Sequence, residues 1–138
     1  MQHGQAQIIS IADACLGGLH GRSALLIGPE ETIQPYRRLL VEAGMKTVFQ
    51  EKDDSRVPNL LPQVQLLLNI PTQDGSASPL SAATIAVGCV GRHTPLLIFD
   101  LATTTSVEEM AGLLPAVCLY TPSDLDQIFY SLSDAQIA

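Results

Sequence analysis

Apolar residues along this chain alternate between two patterns: short continuous runs, and stretches with apolar positions three and four residues apart. The first pattern suits strands buried on both faces, and the second suits helices laid against them. Residues 8–19 place Ile8, Ile11, Ala12, Cys15 and Leu19 on one side, which predicts a helix ending near Gly17-Gly18. SALLIG, 23–28, predicts a strand closed by Gly28. Residues 33–43 predict a helix with Leu39, Leu40 and Ala43 on its inner side. Because a proline fits best in the first turn, Pro35 sets the start of that helix near Thr32 or Ile33. KTVFQ, 46–50, is a second strand, followed by the charged, turn-like EKDDSR. Only fifteen residues, 51–65, lead to the third apolar run, LLLNIP at 66–71, which leaves room for one short connection. TQDGSASP reads as a loop, 80–90 as a small-residue helix, LLIFD at 96–100 as a strand ended by Asp100, and AVCLY at 116–120 as the last strand. A helix over 123–132 follows, its start marked by Pro122 or Ser123, with Asp124 and Asp126 at the positive end of its dipole.

Apolar strands alternating with helices through short loops predict an α/β domain with a doubly wound parallel sheet of about five strands. Its length, 138 residues, suits one domain with one core. In such sheets ligands sit beyond the carboxyl ends of the strands, so the residues to inspect are 28–32, 50–53, 69–72, 100–105 and 120–123.

Charge narrows the functions. Seven Lys+Arg against fourteen Asp+Glu give −7, and the 46 residues after Arg92 hold six acids and no Lys or Arg. Binding to a nucleic-acid backbone is excluded on that balance. No apolar run reaches the length of a membrane span, and MQHGQAQIIS has neither the basic nor the apolar region of a secretion signal, so a cytoplasmic location is expected. Cysteines 15, 89 and 118 fit no metal spacing and read as free thiols. With 46% apolar and only 15% charged residues, the surface is short of charge, which favours a protein partner or a second copy.

Several loop motifs resemble one family. PLLIFDLATTTSVEEMAGLLPAVCLYTPSDLDQI carries Asp100-Leu101-Ala102 at the end of a strand, Leu114-Pro115-Ala116-Val117 before the next, and Leu119-Tyr120-Thr121-Pro122-Ser123-Asp124-Leu125 at a strand-to-helix junction. Residues 16–28 add a helix end, a turn and a strand closing on glycine. These resemble the nucleotide-binding domain of glutamyl-tRNA reductase, the enzyme that commits glutamate to tetrapyrrole (haem) synthesis. The resemblance implies a Rossmann-like fold and, with the family's third strand missing, strand order 2-1-4-5-6 in the family's numbering.

It also implies NADPH binding, and there the residues depart. The family's Gly-x-Gly-x-x-Gly lets backbone approach a pyrophosphate, whereas this chain reads Gly28-Pro29-Glu30-Glu31-Thr32-Ile33. One carboxylate about 4 Å from a phosphate charge costs roughly 4 kcal/mol at an effective dielectric near 20, or about three decades in affinity. The family's Asn-Arg-Thr, which meets the 2′-phosphate, is matched by Lys52-Asp53-Asp54, read as a solvated turn. The basic residue of the loop after Asp100 is replaced within Thr103-Thr104-Thr105. The family's nucleophilic-cysteine domain and helical dimerisation domain have no counterpart in these residues. The expectation is therefore no cofactor and no redox catalysis: a non-catalytic interaction or structural subunit, linked to tetrapyrrole synthesis or a redox assembly. The alternatives are a nucleotide- or small-ligand-binding module using a remaining cleft of Gly28, Thr32, Asn69, Thr72, Thr103 and Thr104, or the cofactor domain of an NADP-dependent reductase of this type.

The remaining candidates read structurally. Cys89, near Arg92 and His93, is taken as a helix-end residue; Cys15 and Cys118 are placed on core faces as packing residues. Asp100 is taken to accept backbone N–H groups of its own loop, Glu30 and Glu31 to be solvated first-turn acids, and His3 and His20 to lack ligand partners at metal spacing. Loss of the third strand should leave KTVFQ at a sheet edge. An interface is expected there, at Thr47, Val48, Phe49 and Gln50 with the 51–58 segment, unless residues 55–65 fold over the edge.

Overall fold

The computed structural model describes residues 4–137, with side chains as far as residue 131. Helix α1 (Gln5–Leu16) is followed by strand β1 (Ser23–Ile27), α2 (Glu30–Glu42), β2 (Thr47–Glu51) and a single helical turn, α3 (Val57–Leu60). After a 3-10 turn at Leu61–Gln63 come β3 (Leu66–Asn69), α4 (Ala82–Gly88), β4 (Leu96–Asp100), a 3-10 segment at Glu109–Leu113, β5 (Val117–Tyr120) and α5 (Pro122–Ile137). All five strands pair in parallel in the order β2-β1-β3-β4-β5. This is the expected Rossmann-like α/β sheet, and the order is the expected 2-1-4-5-6 of a numbering whose third strand is missing.

Alternation along each strand explains why the runs are continuously apolar. Ala24, Leu26, Leu66, Leu68, Leu97 and Phe99 face one cluster, with Ile8, Ala12, Ile33, Leu40 and Leu125 from α1, α2 and α5. Leu25, Ile27, Leu67, Leu96 and Ile98 face the other, with Val57, Leu60, Leu61, Ile85 and Ala111. The short connection between β2 and β3 is thus a lid on the second face, not over the edge, and Val57, Leu60, Leu61 and Val64 are almost wholly buried there.

Arg92 holds this lid in place. Its guanidinium donates to the carbonyls of Leu61 at 2.8 Å and Val64 at 2.5 Å, and to those of Thr94 and Pro95 at 2.8 and 3.2 Å. Four backbone dipoles thereby solvate a half-buried cation.

Two boundaries differ from expectation. Helix α2 begins at Glu30, not near Thr32, and runs through Pro35. The hydrogen bond that Pro35 lacks would end on the carbonyl of Glu31, in an exposed first turn where water can replace it, so the proline costs little and the helix is not delayed. Helix α1 spans 5–16 and stops where Gly17 takes a left-handed φ of 69°, with the Gly18 N–H donating to Asp13. At α5 the Thr121 N–H donates to Asp124 Oδ2 at 3.0 Å and Thr121 Oγ1 accepts from the Asp124 N–H at 3.1 Å. That reciprocal cap puts Pro122 in the first helical position.

The cysteine placement needs correction. Cys15 and Cys118 are exposed, while Cys89 packs partly buried against the second cluster. β5 is an outer strand with one neighbour, and none of its four residues is fully buried, so apolar periodicity overstated its burial.

Candidate functional site

Beyond the carboxyl ends of β1, β3 and β4 lies a cleft of 340 Å³. Gln5 and Ile8 of α1, Glu31, Thr32, Pro35 and Tyr36 of α2, and Pro122, Leu125 and Asp126 of α5 form its walls. The loops 70–75 and 100–103 close it. No Lys, Arg or His lines it, and two of its side chains, Glu31 and Asp126, are acidic at its surface. Tyr36 is buried, and that burial pushes its phenol up to about 12, so the hydroxyl is neutral at every physiological pH.

Of the six residues expected to form this cleft, Thr32, Thr72 and Thr103 line it. Gly28, Asn69 and Thr104 do not. Gly28, at φ 151°, lies so close to β3 that an added Cβ would sit 2.5 Å from the carbonyl oxygen of Ile70. Here the glycine serves strand packing. Asn69 turns to the opposite face of the sheet, where its Nδ2 donates to the Ser78 carbonyl at 3.0 Å and to Ser106 Oγ at 2.9 Å. Thr104 is exposed on the loop after β4. Gln5 and Tyr36 are wall residues that periodicity did not single out: α1 was expected to start later, and the inner side of α2 was read from Leu39, Leu40 and Ala43.

Each loop is shaped from within. Asp100 is fully buried, and its carboxylate accepts from Ala102 N–H at 3.3 Å, Ser106 N–H at 2.7 Å, Val107 N–H at 2.9 Å and Ser106 Oγ at 2.6 Å. All its nearby donors are committed to the fold, as the structural reading of this residue held. In the loop after β3, Asp74 Oδ1 accepts from the Thr72 hydroxyl and from the N–H and hydroxyl of Ser76. The Thr72 hydroxyl, then the two Ser76 donors, hold the Asp74 carboxyl down at about 2. The two loops are joined where Thr103 N–H donates to the Gly75 carbonyl at 2.9 Å. Gly75, at φ 93°, has no room for a Cβ beside Thr103 Oγ1.

The thiol and metal candidates do not add chemistry to the cleft. Burial raises the Cys89 thiol, with Arg92 opposing the shift, so this cysteine is held as a neutral thiol. No group of three or more metal-ligating side chains occurs among the described residues, and His3 lies outside them. No described helix is long and apolar enough to cross a membrane.

At the far edge, β2 pairs with β1 alone. Gly28 N–H donates to the Glu51 carbonyl at 2.9 Å. In a parallel ladder one residue turns both backbone groups to the same side and the next turns both away. Phe49 and Glu51 therefore face β1, while Val48 and Gln50 present N–H and C=O outward. The Val48 and Phe49 side chains pack against the two opposite clusters.

Comparison with known proteins agrees with this architecture. No family model matches the chain. It is 31% identical to the glutamyl-tRNA reductase of Alkalilimnicola ehrlichii, over 87% of this chain and 31% of that protein. Against the glutamyl-tRNA reductase of Pseudomonas aeruginosa the identity is 28%, over 87% of this chain and 32% of that protein. The solved glutamyl-tRNA reductase from Methanopyrus kandleri superposes with a TM-score of 0.69 at 19% identity, over 88% of this chain and 35% of that one. The chain spans about a third of the length of these relatives, and across that third it resembles the Rossmann-like domain of the glutamyl-tRNA reductases in both sequence and fold.

Proposed function

We propose that this domain is a non-catalytic counterpart of the glutamyl-tRNA reductase nucleotide-binding domain, supplying structure and contact surface rather than hydride chemistry. The observation that carries the reading is the charge of the cleft. Where a dinucleotide would lay its pyrophosphate, α2 begins with Glu30 and Glu31, and no basic side chain lines the walls. The residues present do not fit NADPH. Calorimetric titration is expected to give no NADPH or NADH binding below a Kd of about 1 mM, since one carboxylate at a phosphate already removes about three decades. Micromolar NADPH binding would overturn the reading in favour of an NADP-dependent reductase module. A cleft of 340 Å³ walled by hydroxyls and carboxylates also suits an uncharged or cationic polar molecule, the second reading.

The surface we assign to partner binding is the β2 edge. Outward-facing backbone groups of Val48 and Gln50 offer a template for an added strand, from a second copy or another protein, and Thr47, Val48, Phe49, Gln50 and the 51–58 segment would form its rim. Tetrapyrrole synthesis is the setting that the relatives' activity suggests. Thr47→Lys with Gln50→Pro tests the edge, because the Gln50 N–H faces away from β1 and its loss spares the internal ladder. The variant is expected to keep the melting temperature within a few degrees and to lose higher-order species or partner recovery in size-exclusion chromatography. Unchanged assembly would count against the edge.

A further inference from the structure

The cleft beyond the strand ends is rich in hydrogen-bond acceptors and poor in donors. Its base is apolar: Ile8, Ile70 and Leu125 line it with almost no surface of their own exposed. Pro35, Pro71 and Pro122 line it too, and a proline has no N–H to offer. Two hydroxyls around it are already committed as donors. Thr32 Oγ1 donates to the Pro29 carbonyl at 3.0 Å and Thr72 Oγ1 donates to Asp74, so each has only lone pairs left for a guest.

Tyr36 is the polar group of this cleft without a use in the fold. The residue is only 8% exposed, and no described residue hydrogen-bonds its hydroxyl. Among the described residues, the side-chain polar atoms sealed in without a partner are Gln50 Nε2 and Asn69 Oδ1, so the Tyr36 hydroxyl is neither bonded nor sealed. It opens on the cleft that the residue lines. A hydroxyl with so little access to water is under-solvated, and a guest that bonds it relieves that condition.

Charge then selects the guest. Glu31 and Pro35 form one row on α2 and Thr32 and Tyr36 the neighbouring row, so the carboxylate and the phenol serve the same opening. Asp126 adds a carboxylate from α5, and no basic side chain among the described residues lines the cleft. The positive end of α2 amounts to about half a charge, less than the full negative charge of Glu31 alone. We propose that the cleft binds a small amphiphilic primary ammonium, its apolar body over Ile8, Ile70 and Leu125 and its three N–H donors at Tyr36 Oη, the Glu31 carboxylate and the neighbouring acceptors. A quaternary ammonium would need an open aromatic face, which the buried ring of Tyr36 does not present. At 340 Å³ the cleft lies at the small end of ligand pockets, about 300–1,000 Å³, with room for one ring or a short chain. This inference deepens the reading of the cleft as unfit for a dinucleotide and rests on it.

Titration of the full chain with phenethylamine, 2-phenylethanol and phenylacetate, followed by amide chemical shifts, tests the charge, because the three share a body and differ in the head group. Phenethylamine is expected to bind with a Kd below about 1 mM, the alcohol at least about tenfold more weakly and phenylacetate not measurably, with the amine weakening as salt is added. Glu31→Gln should weaken phenethylamine about tenfold and leave the alcohol unchanged. Tyr36→Phe should weaken both about tenfold and keep the melting temperature within a few degrees, since the hydroxyl holds nothing in the fold. Equal affinity for all three probes, tighter binding of phenylacetate, or no binding of any would overturn the proposal. NADPH titrated alongside tells the failures apart: no shift with either the amine or NADPH overturns the ammonium site alone, whereas micromolar NADPH binding overturns the reading beneath it as well.

Discussion

Asp100→Asn is expected to lower the unfolding free energy by about 3 kcal/mol, seen as a fall of about 10 °C in melting temperature. The substitution hardly changes volume, so the effect isolates hydrogen bonding. In the native domain both carboxylate oxygens accept: one from Ala102 N–H and Ser106 Oγ, the other from Ser106 N–H and Val107 N–H. An amide has one accepting oxygen. Whichever way it is turned, its NH2 group points at donors in a fully buried site, leaving them unpaired and opposed. Denaturant unfolding followed by circular dichroism measures the cost, and a loss under 1 kcal/mol would show that the loop 101–107 shapes itself without the carboxylate. Ligand binding, if any is found, should weaken as well, since Leu101, Ala102 and Thr103 line the cleft.

Gly28→Ala is expected to destabilise by a similar amount, about 2–4 kcal/mol, for two reasons that add. A left-handed φ of 151° strains any side chain, and the new Cβ would lie 2.5 Å from a backbone oxygen of Ile70, which cannot rotate away. Relief requires the ends of β1 and β3 to separate, breaking the bond from Ile70 N–H to the Ile27 carbonyl at 2.8 Å. Gly17→Ala is the internal comparison: it shares a positive φ but has nothing within 4 Å of the added atom, so it carries the backbone term alone. Equal losses in the two variants would refute the packing argument.

Much of the fold was readable because every central strand is buried on both faces. LLIFD and SALLI can be little else, since no side chain of either strand is left in water. What the pattern mishandled lies at edges and ends. Pro35 argued for a late helix start, but one missing hydrogen bond in a solvated first turn is cheap, and α2 takes it in stride. Cys118 kept the alternation of a buried strand, yet it sits in an outer strand where apolar periodicity persists without cover. The cleft was half legible: strand-end position is a topological inference, but whether a side chain points to one face or the other depends on strand parity. Asn69 falls on the wrong parity for the cleft, and the hydroxyls of 72–76 close on Asp74, a contact that the string TQDGSASP does not announce.

Arg92 has a consequence for how the molecule breathes. Its guanidinium reaches back 28 and 31 residues in sequence to grip the turn before β3, while holding the turn before β4. Neither turn can open alone without stranding a cation among unmatched carbonyls. The single helical turn at 57–60, too short to hold itself, thereby borrows the persistence of the β4 entry, and the two are expected to exchange their amide protons as one cooperative unit, which hydrogen exchange measures. Because the partners are dipoles rather than carboxylates, added salt has little to screen, and that unit is expected to keep its protection at ionic strengths that would loosen an ordinary surface ion pair.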